Sequence, residues 1–473
     1  MTTECDSNQL VPRPVVLAGG SNLHLWPRSR LNQPIQFQRF SHVHSPFQKT
    51  MLAAQEIAGD EPIIVCVSSR CVDLARGQIH ELDLVRAPIK LIEPVERGAA
   101  PPLMMAALLA ARETSSCLLV AMEAHCPPQD VTTMKRLTDQ LAQSHAAQGA
   151  MILTTQSGSK ASGRPLPVSR GDHFGDNHLF ACTGSTHHSG RDRTNAPAYA
   201  GLLFATPQQL MDICRSRFSH LIRCCDLAVQ QTGESGHTRW PDTNKWATMQ
   251  EATIMDLVRA SPVNVLLRPV DFMVPDEATK QSGLMADCID CHIDGNGHLV
   301  AMVDCADMKV VSTPDATLIT PVHHQSTPEE IIRQLKMQNR IEHEDSTMRE
   351  HSWGWQFRLD DRPGARTLRL DIAPDQCIES HFHTQRDETW HVLGGRGEIV
   401  LDGELVTVGS GDVCHMPPHT VHSIRNTGLS SLSVLEIRQG EVVSGSDHIR
   451  TGRLQKTRSP IPNQAVELLK NTG

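Results

Sequence analysis

The feature that most limits what this chain can fold into is a set of side chains near its end, His381-Phe382-His383, then Arg386 and Glu388, then Gly411, Pro417, His422 and Asn426. Histidines at i and i+2 share one face of a strand. A bend before Glu388 returns its carboxylate to that face, and His422 follows a turn marked by proline. Strands that bring these residues together must close around a common interior. Three imidazoles and one carboxylate suit a borderline divalent metal such as zinc, manganese, iron or nickel. The chain holds 25 histidines, so a single His-x-His would pass for surface residues; the ordered set across two segments carries the signal. Around it, residues 353–438 read as all-β. Leu368, Leu370 and Ile372 alternate with polar residues, and Asp402-Gly403 separates two short apolar runs, a hairpin signal. Many short strands at this spacing make a barrel or jelly roll.

A chain of 473 residues exceeds one ordinary core and divides into two or three domains. With 39% hydrophobic and 21% charged residues it is a globular protein. Its net charge of −9 and lack of a long basic run exclude a dedicated nucleic-acid or membrane-surface binder. No apolar stretch reaches the length of a membrane span, and MTTECDSNQLVPRP has neither the basic nor the apolar region of a signal peptide. The reading is therefore cytoplasmic, with the 14 cysteines reduced. Cys288, Cys291 and His292 match the spacing of c-type haem attachment, but they lie in a strand-like stretch without an export signal, and coincidence is the better account.

Upstream, apolar runs at 13–18, 62–67, 89–92, 117–121 and 151–154 alternate with helix-like segments such as 102–113. Strands alternating with helices predict βαβ units and a largely parallel sheet. The stretch 160–198, rich in Ser, Gly, Arg, His and Thr, reads as a long exposed loop or an eroded region. Short strands and turns follow from 285 to 320, and Thr327-Pro328-Glu329-Glu330 opens a helix, with Thr as cap and Pro at the first helical position. Ile331, Ile332 and Leu335 form its apolar face.

The histidine-glutamate set resembles the two cupin motifs, although the usual glycine at 419 is His419. Further resemblance covers nearly the whole chain. LAGGSNLHLWPRSRLNQPIQF resembles the LAGGSGTRLWPLSR…PKQF opening of the bifunctional mannose-1-phosphate guanylyltransferase/mannose-6-phosphate isomerases. EPIIVCV, EPVERGAAPP, the 303–320 stretch, Trp353–Trp355 and His381–Trp390 are similar to later family segments. The resemblance implies an α/β, Rossmann-like nucleotidyltransferase domain at 12–275. A short left-handed β-helix-like linker with a helix follows at 285–345, then an all-β cupin jelly roll at 350–450 and a tail at 451–473. It implies a divalent metal, zinc or another transition metal, on His381, His383, Glu388 and His422. Arg386 and Arg450 are expected to act on the sugar phosphate, and Gly19, Gly20, Ser21, Arg30 and Arg97 to line the nucleotide site. A Gly-rich turn between strand and helix cradles phosphates through backbone N–H groups, though a tight βα turn uses the same residues.

The chemistry-bearing positions of the first domain have changed. Asn22-Leu23-His24 stands where the family has Gly-Thr-Arg, Ile35 where it has the lysine of PKQF, and Ala124 where it has an aspartate that holds Mg²⁺. The EKP, ETGYGY and GWxDVGSW segments have no counterpart. Nucleotidyl transfer relies on Mg²⁺ and cations to offset charge on the phosphoryl group, so these losses predict an inactive transferase half without Mg²⁺. The cupin half reads as a metal-dependent mannose-6-phosphate/fructose-6-phosphate isomerase, with Glu379, His391 and His419 as candidate bases. Two alternatives stay open: a non-catalytic sugar-nucleotide-binding or regulatory homologue in polysaccharide biosynthesis, and an active guanylyltransferase. Expected partners are a sugar phosphate, a sugar nucleotide, and a second copy of the chain or an active paralogue.

Overall fold

The computed structural model describes residues 10–450 apart from 40–42, 114–115, 144–149, 157–179, 182–197, 231–232, 236, 261–263, 270–282, 296–298, 323–327, 444–446 and 448. Nearly all of the 160–198 stretch thus lies outside the described residues. The chain divides into two compact units between Asp345 and Ser346. No helix among the described residues is long and apolar enough to cross a membrane.

The predicted apolar runs form the centre of a ten-stranded sheet in the first unit. Ile89–Glu93, Ile64–Ser68, Val11–Leu17 and Cys117–Glu123 lie side by side in that order and all parallel. Their sequences are mostly apolar because helices cover both faces, with charge confined to Arg13, Lys90 and the terminal Glu93 and Glu123. Ala100–Glu113 buries Leu103, Met104 and Ala107 on one side, and Pro46–Ala58 buries Phe47, Met51 and Ala54 on the other. Pro46–Ala58 starts with a full capping box between Ser45 and Gln48. Loops after residues 17, 93 and 123 therefore emerge at the carboxyl edge of the parallel strands, where open α/β sheets hold ligands. Ala198–Ala205 runs antiparallel to both Cys117–Glu123 and Ala150–Gln156.

Residues 283–321 coil so that Gly283–Ala286 pairs in parallel with Val300–Val303, and His292–Gly295 with Met308–Thr313. The coil rests on an internal repeat that the sequence reading passed over. Asp287 and Asp290 recur as Asp304 and Asp307, and all four take positive φ, between 49° and 54°. Aspartate tolerates this left-handed turn better than most residues. Cys288, Cys291 and Cys305 join Ile293, Met302 and Val310 in the coil's apolar filling, each thiol donating to the carbonyl two residues before it. Cys291 is buried and His292 exposed, so the two side chains diverge. The helix Glu329–Met337 takes Pro328 as its N-cap rather than its first residue, one position later than expected, and Thr327 lies outside the described residues. Ile332 is buried, whereas Ile331 is exposed.

The second unit is all-β. Six strands, from Met348–His351 to Val413–Met416, form one sheet, and five more form the other. Leu368, Leu370, Ile372, Trp390, Val392, Ile399, Ile424 and Val434 fill the space between them. Leu401 pairs with Glu404 across a two-residue turn, with Asp402 at φ 47° and Gly403 at φ 92°. Two positive φ angles are what a tight hairpin requires, and Asp-Gly supplies them.

Candidate functional site

Cys377–Phe382 carries His381, the loop after it carries His383, Arg386–Gly394 carries Glu388, and His422–Asn426 carries His422. Register pairs His381 directly with His422. All four side chains are at least 97% buried, and their ligand atoms lie within 4.8 Å of one another. Each imidazole is oriented by its Nδ1. His381 Nδ1 is 2.7 Å from the Glu379 carbonyl, His422 Nδ1 is 2.9 Å from that of Thr420, and His383 Nδ1 meets that of Asp447. Such backbone partners fix the tautomer with the Nε2 lone pair facing inward. His422 Nε2 and Glu388 Oε2, 3.4 Å apart, are buried without a hydrogen-bond partner among the described residues. Orphaned buried atoms of this kind are costly. Both are atoms able to ligate a metal, so the donor set fits a divalent transition metal.

Burial would raise the Glu388 pKa, but its contacts with His383 and His422 and the charge of Arg438 hold it well below the ordinary carboxylate range. Arg386, expected to hold substrate, is 1% exposed; its Nε donates to Glu388 Oε1 at 2.9 Å and its Nη2 lies 3.2 Å from His383 Nε2. The structure thus gives Arg386 the task of holding a ligand carboxylate. The backbone of Arg450 pairs with His381, and its side chain lies outside the described residues. Asp447 accepts from Thr384 N, Thr384 Oγ1 and Gln385 N at 2.7–3.0 Å, locking the loop that carries His383. His419 takes φ 71°, the conformation that the usual glycine would supply, and its N–H donates to the His383 carbonyl at 2.6 Å. His391 alternates with inward-facing Trp390 and pairs with Leu435 and Val413, so it lies on the outer sheet face, away from the metal set.

In the first unit the Gly19–Ser21 loop sits at the sheet's carboxyl edge. A side chain at Gly19 would meet Glu93 Oε1 at 1.9 Å, so any larger residue there must displace the Glu93 carboxyl. Gln36 donates to the carbonyls of Ala18 and Gly20 at 3.0 and 2.7 Å, and Asn22, at φ 49°, bonds back to Gln36. The Ser21 N–H, which a bound phosphate would use, donates at 3.2 Å to the carboxylate of Glu96. Burial lifts the pKa of Glu93 to about 8, that of Glu123 to about 7, and that of Glu96 above its usual value; it lowers His125 to about 4. The loop is thus surrounded by acids. Arg30, expected beside it, is fully buried in an ion pair with Asp315 at 2.8 Å and ties the loop region to the coil, as does Arg28 with Asp294. Arg97 donates to the Ala247 carbonyl at 2.7 Å and faces Glu251. Arg30 is thus committed within the unit's interior, while Arg97 stays partly exposed. Glu96 was missed because its partner lies 75 positions away in sequence.

The Glu93 carboxyl gives a stability prediction. Its folded pKa of about 8 exceeds the unfolded value, so folding holds a proton that the unfolded chain releases. The associated stability is complete below the unfolded pKa and is lost as pH rises through about 8. Between pH 6 and 8 the loss amounts to about 2 kcal/mol. Glu93→Gln is expected to flatten this part of the denaturation profile. An unchanged slope would show that Glu93 is ionised in the folded protein.

Comparison with known proteins places a Cupin domain family match at residues 368–438. The alginate biosynthesis protein AlgA of Pseudomonas syringae pv. tomato is 23% identical over 92% of this chain and 94% of its own length. The mannose-1-phosphate guanylyltransferase of Salmonella montevideo is 24% identical, covering 92% of this chain and 98% of its own. A Thermus thermophilus structure described as mannose-1-phosphate geranyltransferase aligns with 69% of this chain and 100% of its own, at TM-score 0.51 and 14% identity, a likeness of fold.

Proposed function

We propose, from the premise that the chain is a homologue of the AlgA and mannose-1-phosphate guanylyltransferase proteins, that its barrel isomerises a phosphorylated sugar, mannose 6-phosphate to fructose 6-phosphate, and that its first unit does not transfer nucleotides. The observation that carries this is the asymmetry between the two sites. The barrel has a complete, oriented ligand set, whereas the first unit has an acid on its phosphate loop.

Aldose–ketose isomerisation moves a proton between adjacent carbons through an enediol. A divalent ion held by His381, His383, Glu388 and His422 would supply Lewis-acid polarisation of the two substrate oxygens. The chain's own residues do the rest. Asp447 holds the His383 loop, Arg386 bonds to Glu388 and aims its carboxylate, His383, His422 and Arg438 keep that carboxylate ionised, and the barrel wall excludes water. His419, on an exposed turn whose N–H reaches the His383 carbonyl, and Glu379, two residues before His381, remain the candidate proton carriers once His391 is placed on the outer face.

The test is a coupled assay for fructose 6-phosphate on metal-loaded, full-length protein given mannose 6-phosphate. Turnover is expected. A folded, metal-loaded protein without turnover would reject the isomerase and favour a sugar-nucleotide-binding or regulatory role. The acid-rich crevice would then need its own ligand.

A further inference from the structure

The wall beside the metal set carries more positive charge than its own carboxylates offset. Strand register fixes which side chains share the inner face. Asp361 stands opposite Arg366, Arg366 opposite Arg438, and Arg438 opposite Glu388, which makes one continuous row across four strands. Arg358 belongs to the adjoining row, opposite Leu368, which in turn faces Glu436. Leu368 and Glu388 are buried in the barrel, so this is the interior face.

The arginine side chains are largely withdrawn from solvent, with 13% exposure for Arg358, 22% for Arg366 and 14% for Arg438. Arg366 sends Nε and Nη2 to Asp361 at 3.0 and 2.8 Å, and Asp361 also lies 3.7 Å from Arg358. Arg438 sends Nε and Nη2 to Glu436 at 3.1 and 3.0 Å, with Nε 3.3 Å from Glu388. Among the described residues Arg366 and Arg438 therefore keep Nη1 uncommitted. Two arginines directly opposite each other on a sheet repel. With Arg386 included, four guanidiniums face three carboxylates, Asp361, Glu388 and Glu436, and Glu388 is also a metal ligand. A divalent ion would add to the excess. An anion is what balances such a wall in a chain of net charge −9.

We propose that Arg358, Arg366 and Arg438 form the anion-holding subsite of the barrel and take the phosphate monoester of the substrate. The forked geometry of arginine suits a phosphate better than a point charge does. The row leads from this subsite directly to Glu388, so a sugar phosphate held there directs its sugar end towards the ligand set. This inference rests on the isomerase reading for its substrate, but its test does not depend on turnover.

The experiment is calorimetric titration of full-length, metal-loaded protein with mannose 6-phosphate, mannose, inorganic phosphate and glucuronate. It is repeated on Arg358→Gln, Arg366→Gln and Arg438→Gln, with metal content measured for each. The parent is expected to bind mannose 6-phosphate and inorganic phosphate more tightly than mannose or glucuronate. Each substitution should weaken both phosphate ligands by roughly tenfold or more while metal content stays the same. Arg438 touches Glu388, so if its variant loses metal the reading rests on Arg358→Gln and Arg366→Gln, which do not touch the ligands. Phosphate binding unchanged in those two variants would overturn the proposal, as would a parent that prefers glucuronate. Arginine-dependent phosphate binding without isomerase turnover would sink the isomerase reading and leave the subsite standing. Turnover with KM unchanged in the variants would sink the subsite alone.

Discussion

Glu388→Gln is expected to abolish fructose 6-phosphate formation while leaving the barrel folded. The carboxylate is fully buried, lies 3.0 Å from His383 Nε2 and 2.8 Å from Arg386 Nη2, and is one of the four ligand groups. An amide of the same shape keeps the packing but loses the negative charge that offsets a divalent ion and the nearby arginines. Lewis-acid stabilisation contributes several kcal/mol, so a fall of about three orders of magnitude or more in kcat/KM follows. The paired substitution His383→Ala with His422→Ala should remove the metal itself, from close to one ion per chain to background by elemental analysis. Turnover in Glu388→Gln within tenfold of the parent would mean that the barrel's chemistry does not run through this set. Absence of metal from the reconstituted parent would mean that the ligand set does not bind an ion.

The second large effect is a silence. No GDP-mannose is expected from GTP and mannose 1-phosphate, even with excess Mg²⁺. His24, Ile35 and Ala124 stand where the resemblance would place an arginine, a lysine and a metal-holding aspartate, and Glu96 takes the Ser21 N–H. Removing a single preorganised donor to a developing charge costs roughly 10²–10³ in rate, and several are missing together. Product above that of a Gly20→Glu control would show that other cations serve the crevice.

Local sequence pattern determined much of this protein. Periodicity set the parallel strands, since a strand covered on both faces must read as mostly apolar. Alternation set the barrel strands, and Asp402-Gly403 set a turn that needs two positive φ angles. The order of His381, His383, Glu388 and His422 was enough to name four side chains whose donor atoms the structure brings within 4.8 Å. These features were legible because backbone geometry ties spacing to direction over a few residues. What tertiary structure decided was the choice of distant partners. Arg30 looked like a phosphate ligand from its place near the glycines, yet its charge is held by Asp315, 285 positions away. Arg386 was read as a substrate contact, and its bond to Glu388 comes from the folded barrel. Glu96 reaches Ser21, Asp447 caps the His383 loop, and Arg366 meets Arg438 only through the pairing of two particular strands. A charged side chain's partner depends on register and topology, and no local spacing encodes either.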